Sequence, residues 1–169
     1  MISEIEILAG NQNLALGKRY SLRPPPTSTE RYADTSDKLT DGVYATRASS
    51  QRRSVAWQEG NPSVVIDLQA PEEIVAVSAH VLGGGARGIQ FPENVRVALS
   101  LDADNWQHVA TVASRAPNSD RSAQAYLTAH FDARACRFVK LDFQRRGWLV
   151  VDEIEVLAAP SLPTAGLQR

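Results

Sequence analysis

The length, composition and charge of this chain exclude several classes of protein. With 169 residues, of which 43% are hydrophobic, it can bury one core of ordinary size. Its 18 basic side chains are balanced by 19 acidic ones, so no strong net field would attract nucleic acid or an anionic membrane. No apolar run approaches the roughly 20 residues of a membrane-spanning helix. We therefore expect a soluble chain with no nucleic-acid partner and no membrane insertion.

The first element is a short strand-like segment that recurs near the other end of the chain. The segment SEIEILA occupies residues 3–9, and DEIEVLA occupies residues 152–158. Residues 1–12 could be the last strand of a preceding, related domain in a tandem array, or a linker. Alternatively, two amphipathic strands of similar sequence arose independently. We place the self-contained domain at residues 13–158 and a linker or tail at residues 159–169.

Period-two alternation of apolar and polar residues dominates the chain between these segments, which is typical of half-buried strands. Helical periodicity is hard to find. Gly, Pro, Asn and Asp clusters separate the alternating runs. The predicted strands, in chain order, are SVVIDLQ, EEIVAVSAHVL, ENVRVALS, QHVATVA, AYLTAHF, RFVKLDF and WLVVDEIEVL, with the first segment in addition. A mostly β domain of about eight strands, a sandwich or jelly roll, follows from this count.

Long polar segments lie between the predicted strands. Residues 22–54 are too many for a simple connection, and loops of this length carry function or are packed down. The single cysteine, Cys136, precedes a strand and is predicted to be a buried small hydrophobic residue, not a reactive nucleophile. Trp57 and Trp106, near strand ends, are predicted to anchor the core.

Several segments in order resemble a known family. These are NLALGKRYS, KLTDGVYAT, VAW, SVVIDLQAPEEIVAVSAHVLGGG, RVALSLDADNWQHVA, RFVKLDF and VDEIEVLA. Together they resemble the discoidin or coagulation-factor type C superfamily, and within it the bacterial galactose-binding-like domains related to family 32 carbohydrate-binding modules. The resemblance covers residues 13–158. It implies an eight-stranded antiparallel jelly-roll sandwich, in agreement with the alternating runs.

The resemblance also implies a structural calcium site. By position it assigns ligands to Asp41, Thr46 and Glu153, with backbone carbonyls at Leu39 and Tyr44. Ca²⁺ takes 6–8 hard oxygen ligands and tolerates irregular loops, so these groups are suitable. The alternative is that Asp41-Gly42 is only a tight turn and Glu153 only a solvated strand residue. Val43 stands where the family often has a further acidic residue.

Sugar recognition needs an aromatic face for the pyranose ring and fixed hydrogen-bonding groups for its hydroxyls. In similar modules these groups come from loops at one end of the sandwich. Trp148 follows a turn glycine at the start of the last strand, and is either the aromatic platform or a partly buried core residue. The remaining candidates for ligand binding are His80, Arg87, Gln90, Arg47, Tyr44 and Arg145, and the loops further offer Tyr32, Arg52, Arg53 and Arg146.

Two of these features have equally good structural explanations. His80 shares a strand face with Ile74, Ala76 and Ser78, which suits a core-edge histidine as well as a ligand-binding one. The run Gly83-Gly84-Gly85 permits close backbone approach, either to a ligand or to a neighbouring strand. Nothing after it resembles a phosphate-binding loop.

No catalytic motif is present. His80, His108 and His130 fall in separate predicted strands without metal-ligand spacing, and no nucleophile motif occurs. We therefore expect a non-catalytic carbohydrate-binding module that anchors an attached enzyme or surface protein to a glycan. Modules of this kind belong to exported bacterial proteins, which implies an extracellular or cell-surface location. The alternatives are a structural or protein-interaction β-sandwich that packs against a catalytic partner domain, and an arginine-rich surface that binds acidic polymers without specificity.

Overall fold

The structure is a computed structural model. It describes residues 12–27, 32–34, 37–45, 53–115, 119 and 121–160. The first copy of the repeated segment, residues 3–9, lies outside the described residues, as do Thr46 and Arg47.

The described part of the chain is an all-β antiparallel domain with seven strands and one short 3₁₀ turn at Ala86–Gly88. The strands are β1 (Tyr20–Arg23), β2 (Val55–Trp57), β3 (Ser63–Gly83), β4 (Asn94–Ser100), β5 (Gln107–Ala113), β6 (Ala123–Gln144) and β7 (Leu149–Ala158). They are ordered β2-β7-β3-β6-β4-β5, with β1 paired to β3. No helix in the described part of the chain is long and apolar enough to cross a membrane.

The predicted jelly-roll class is confirmed, and the number of strands differs from the prediction. Two pairs of predicted strands are each one long strand, β3 and β6, which pair with each other along most of their length. The pairing shifts register between Asp67 and Glu72 and again between Ile74 and Ala76. Bulges of this kind bend a strand without ending it, so the polar residues around Pro71 form a bend where the sequence predicted a turn.

The larger of two hydrophobic clusters in the described residues receives side chains from β2, β3, β4, β6 and β7. Trp57 is a core anchor, as predicted: it is 1% exposed and its Nε1 donates to the Pro24 carbonyl at 3.0 Å. Trp106 is not. It caps the β4–β5 turn, where its Nε1 donates to the Ala103 carbonyl at 2.9 Å and the Lys140 ammonium lies 4.3 Å from the ring centroid. Cys136 is fully buried, and burial raises the pKa of its thiol to about 11, so it is unreactive as predicted.

The glycine run after β3 serves chain packing. A Cβ on Gly84 would lie 1.9 Å from the Arg121 carbonyl oxygen, and one on Gly83 would lie 2.6 Å from the Phe91 ring. Gly84 has φ +95, which L side chains rarely adopt. The close approach seen in the structure is to neighbouring segments of the chain, at Phe91 and Arg121.

Both ends of the described domain lie side by side. The Oδ1 of Asn13 accepts from the amides of Ala15 at 3.0 Å and of Val156 at 3.1 Å, and Asn13 bridges to Leu157 in the antiparallel sense. This contact fixes the chain before β1 against the end of β7.

Candidate functional site

The candidate site is built around one extra residue in β7. His80 on β3 pairs with Glu153, and the next residue, Val81, pairs with Val151. Asp152 is therefore a β-bulge residue opposite β3. In a regular strand, adjacent side chains point to opposite faces, whereas a bulge lets two successive side chains reach the same side. Asp152 and Glu153 both contact residues of the segment 37–45, which covers this face.

These two carboxylates hold the segment 37–45 in place. A carboxylate oxygen of Asp152, Oδ2, accepts the amide of Ala45, and Glu153 Oε2 accepts the amide of Gly42 at 3.0 Å. The amide of Ile154 donates to the Leu39 carbonyl at 2.7 Å. Ordering nine residues costs considerable conformational entropy, and these hydrogen bonds offset part of that cost.

Beneath the segment lies a fully buried His–Asp pair. His80 Nδ1 and Asp152 Oδ1 are 2.6 Å apart, and their side chains are 1% and 0% exposed. The other nitrogen of His80, Nε2, is buried and has no hydrogen-bond partner in the described part of the chain. Both oxygens of Asp152 are hydrogen-bonded, Oδ1 to His80 and Oδ2 to the Ala45 amide.

Two tyrosines pack against His80. The Tyr44 ring meets the imidazole edge-on at 5.3 Å, and the Tyr126 ring lies 4.6 Å away, tilted by 50°. The two tyrosine rings are 5.9 Å apart. Tyr126 is 57% exposed, and Tyr44 is half-buried with its hydroxyl hydrogen-bonded to Glu155.

Burial and mutual repulsion raise the pKa values of the acids in this cluster. The pKa of Glu153 is raised to about 8, first by loss of hydration and then by the charges of Asp41, Glu155 and Asp152. Its Oε1 is buried and has no partner among the described residues. The pKa of Asp41 is also raised, mainly by loss of hydration, although Asp41 Oδ1 accepts the Val43 amide at 2.7 Å. A carboxyl group whose pKa is raised to about 8 is mostly protonated at neutral pH unless a cation stabilises its charged form.

Four of the five calcium ligands predicted from the sequence, namely Asp41, Leu39, Tyr44 and Glu153, lie in or beside the segment 37–45. The orphaned Oε1 of Glu153 and the carboxylate of Asp41 are hard oxygen ligands that interact electrostatically. The Leu39 carbonyl accepts one hydrogen bond and keeps a second lone pair. No group of three His, Cys, Asp or Glu side chains suited to a metal occurs among the described residues, and the predicted set contains only two carboxylates. Thr46 lies outside the part described.

The second group of candidates lies at the rim of the sandwich. Trp148 begins the chain into β7, and its amide donates to the Gly88 carbonyl at 2.9 Å while the Gln90 amide donates to the Trp148 carbonyl at 3.0 Å. The indole is half-buried and lies 5.9 Å from the Tyr32 ring. Arg87 is exposed on the 3₁₀ turn, with φ 57. The rim therefore brings together an aromatic pair, an exposed guanidinium and an amide side chain.

Arg145 is bound to the chain itself. Its Nε donates to the Gly60 carbonyl at 2.8 Å and its Nη1 to the Gly147 carbonyl at 2.5 Å. These bonds hold the turn that precedes Trp148. The remaining candidate, Arg47, lies outside the described residues.

The structure thus divides the predicted residues into two sets. His80, Tyr44, Asp41, Leu39 and Glu153 meet under the segment 37–45. The rim set is Trp148, Arg87 and Gln90. Sequence reasoning named Tyr32 among the loop residues available for a sugar but missed three participants, namely Asp152, Glu155 and Tyr126. Period-two alternation in AYLTAHF places Tyr126 on the sheet face that points away from the core residues Leu127 and Ala129. In contrast, no residue pattern in DEIEV predicts a bulge.

The chain belongs to the F5/8 type C domain family, whose model matches residues 26–154. The resemblance noted in the sequence is thereby confirmed. A search of the curated proteins found no match.

Solved structures share the fold. A Streptococcus pneumoniae fucose-binding module superposes with a TM-score of 0.62 at 18% identity, covering 89% of this chain and 98% of that one. The lectin domain of lectinolysin complexed with Lewis B antigen superposes with a TM-score of 0.58 at 22% identity. The match covers 88% of this chain and 97% of the lectin domain. SpGH29 superposes with a TM-score of 0.62 at 14% identity. The match covers 89% of this chain but only 28% of SpGH29. At these identities the likeness establishes the fold.

The raised pKa of Glu153 predicts a pH-dependent stability in the presence of a chelator. Between the ordinary value of 4.5 and about 8, the folded state binds more protons at Glu153 than the unfolded state does. Stability should therefore fall by a few kcal/mol as pH rises through this window. Urea denaturation from pH 5 to pH 8 measures it. Glu153→Gln keeps an acceptor for the Gly42 amide and should flatten the profile; an equally steep profile in this variant would contradict the assignment.

Proposed function

We propose that this domain is a non-catalytic glycan-binding module whose binding site is the rim formed by Trp148, Tyr32, Arg87 and Gln90. The observation that carries the proposal is the Tyr32–Trp148 pair, an aromatic surface that is only half-buried at the end of the sandwich. Membership of the F5/8 type C family supports it. So do the named ligands of two proteins with the same fold, fucose and the Lewis B antigen.

The rim has the chemistry that a sugar requires. The apolar face of a pyranose ring packs on an indole, and this contact excludes water from the surrounding hydrogen bonds. The exposed guanidinium of Arg87 supplies up to five donors in a fixed plane, and Gln90 supplies both donors and an acceptor. The backbone bonds between Trp148 and residues 88 and 90 keep these side chains in one geometry before the ligand arrives, which lowers the entropic cost of binding.

The proposal includes a structural calcium held by Asp41, Glu153 and the Leu39 and Tyr44 carbonyls, with Thr46 as a further ligand. The partnerless Oε1 of Glu153 and the raised pKa values of both carboxylates support it. The ion would supply charge neutralisation and tie the segment 37–45 to β7.

A module of this type acts as part of a larger protein. The chain corresponds to 28% of SpGH29, which supports attachment to a catalytic or surface domain. We include export to the cell surface or the medium in the proposal, since glycans are presented there. Modest affinity would suffice, because linked binding domains act through a high effective concentration.

Replacement of Trp148 tests the rim. Trp148→Ala should weaken glycan binding about tenfold to a hundredfold, because truncating a central aromatic residue costs about 2 kcal/mol or more. A glycan array followed by calorimetry on the best ligand measures the loss.

Trp106→Ala is the matched control, since Trp106 is also half-buried but caps the β4–β5 turn. It should leave affinity unchanged. No binding by the wild-type domain across a broad array would contradict glycan recognition and would favour a structural or protein-interaction domain. Binding that ignores sugar stereochemistry and collapses with salt would identify nonspecific attraction to acidic polymers.

Chelation tests the calcium. A ligand that binds only the folded state must stabilise it, so Ca²⁺ should raise the melting temperature of the metal-stripped domain, and EDTA should reverse the change. Asp41→Ala should remove the response. An unchanged transition in the wild type after verified metal removal and Ca²⁺ addition would eliminate calcium from the proposal.

A further inference from the structure

Among the described residues, two strands of the sandwich each have one edge that pairs with no other strand. Residues 123–130 of β6 pair with β3 on one side, and the pairing of β6 with β4 covers only residues 138–144. β5 pairs with β4 alone in the described part of the chain. A cleft of about 660 Å³ separates the two edges and is lined by residues 110–115 and 125–130. We call this space the edge cleft.

The lining shows that strand edges, and not one face of a sheet, form the edge cleft. Both lining runs are continuous, whereas a strand that presents one face contributes only alternate residues. In β6, the buried Leu127 and Ala129 line the cleft together with the exposed Tyr126 and His130. An edge of this kind presents backbone N–H and C=O groups to an incoming strand.

The edge of β6 lacks the features that usually prevent the addition of a strand. Natural edge strands are short, or they carry charged residues, proline or bulges. β1 and β2 have only four and three residues. Residues 123–130, in contrast, read AQAYLTAH, with no proline and no Asp, Glu, Lys or Arg, and their pairing with β3 is regular. This edge is therefore suited to accept a further strand.

The chain contains a segment with the chemistry of the missing strand. SEIEILA, residues 3–9, closely repeats residues 152–158 of β7, where Ile154 and Val156 are both 0% exposed inside the sandwich. The same alternation gives residues 3–9 one apolar face and one face with two glutamates. The described lining of the edge cleft contains Arg115 and no Asp or Glu, so its charge complements this segment.

We propose that the edge cleft binds residues 3–9 of a second copy of this chain as an added strand, antiparallel to β6. Residue 4 lies opposite His130 and residue 9 opposite Ala125. The apolar cross-strand pairs are then Ile5 with Ala129, Ile7 with Leu127, and Leu8 with Tyr126. The added strand covers the Tyr126 ring, which is 57% exposed in the single chain. The two glutamates lie on the outer face, where they stay hydrated.

The segment is too short to reach the edge cleft of its own chain. Asn13 bridges to Leu157, Leu157 pairs with Ala76, and Ala76 pairs with His130. Because neighbouring strands are about 4.8 Å apart, a strand added beyond His130 lies about 19 Å from Asn13, and Ala9 lies about five residues further along β6. The four residue steps from Ala9 to Asn13 span at most about 14 Å. The donor is therefore another molecule, and reciprocal exchange between two copies closes a dimer.

This inference goes beyond the proposed function, since the edge cleft and the rim share no residue. A dimer would carry two rims. Two linked binding sites retain a glycan with repeated epitopes more strongly than one site does.

Sedimentation equilibrium of the full chain tests the proposal. We expect the mean mass to rise from that of one chain to that of two as the concentration increases. Ile5→Lys combined with Ile7→Lys should weaken association roughly a hundredfold or more, because two ammonium groups would have to enter an apolar cleft. Ile5→Val combined with Ile7→Val keeps the apolar face and should preserve association.

Reversal of one charge in the edge cleft supplies a test from the other side of the contact. Arg115→Glu repels the two glutamates of the segment and should weaken association severalfold. Arg23→Glu is the matched control, since Arg23 is also exposed but lies on β1. It should leave association unchanged. Circular dichroism of each variant shows that the fold is intact.

A labelled peptide of residues 1–11 distinguishes a second copy from the chain itself. The variant Ile5→Lys/Ile7→Lys has a vacant edge cleft and should bind the peptide in fluorescence anisotropy. A wild-type chain that stays monomeric and excludes the peptide, while this variant binds it, has residues 3–9 in its own cleft and overturns the assignment to a second copy. A monomeric chain that binds no peptide in either form overturns the edge cleft, as does association that survives in Ile5→Lys/Ile7→Lys.

Discussion

The docking of the segment 37–45 depends on one extra residue in β7. Without the bulge at Asp152, the alternation of β7 would direct Asp152 and Glu153 to opposite faces, and one of the two carboxylates would enter the hydrophobic core. With the bulge, both carboxylates meet the amides of the segment. The same shift brings Asp152 within hydrogen-bonding distance of His80, so the orientation of the imidazole also follows from it.

This arrangement places several carboxyl groups together, and no Lys or Arg among the described residues forms a salt bridge with Asp152 or Glu153. Both oxygens of Asp152 form hydrogen bonds, whereas Glu153 forms one through Oε2, and its Oε1 has no partner among the described residues. This lack of a cationic partner supports the proposed divalent cation at Asp41 and Glu153. The bulge in β7 places both carboxyl groups against the segment 37–45 and so creates the site proposed for that cation.

Much of the fold could be predicted from the sequence, because the alternation of apolar residues is a direct consequence of half-buried strands. The runs around Ile66 and Val97 show the pattern clearly, and the family motifs agree with it. The strand count could not be predicted, since a bulge beside Pro71 and a turn have the same composition. The pairing of His80 with Asp152 was equally inaccessible: it depends on the register between strands that are about 70 residues apart in the chain. The position of Tyr126 could be predicted, since period-two alternation alone places its side chain on the sheet face away from that of Leu127.

Backbone amide exchange at the segment 37–45 tests the central claim most directly. The amides of Ala45 and Gly42 donate to carboxylates of β7, whereas the amide of Val43 donates only to the exposed side chain of Asp41. In the wild-type domain, the amides of Ala45 and Gly42 should exchange with solvent deuterium orders of magnitude more slowly than the amide of Val43. If all three exchange at the rate of an unstructured peptide, β7 does not hold this segment, and the account of the site is wrong.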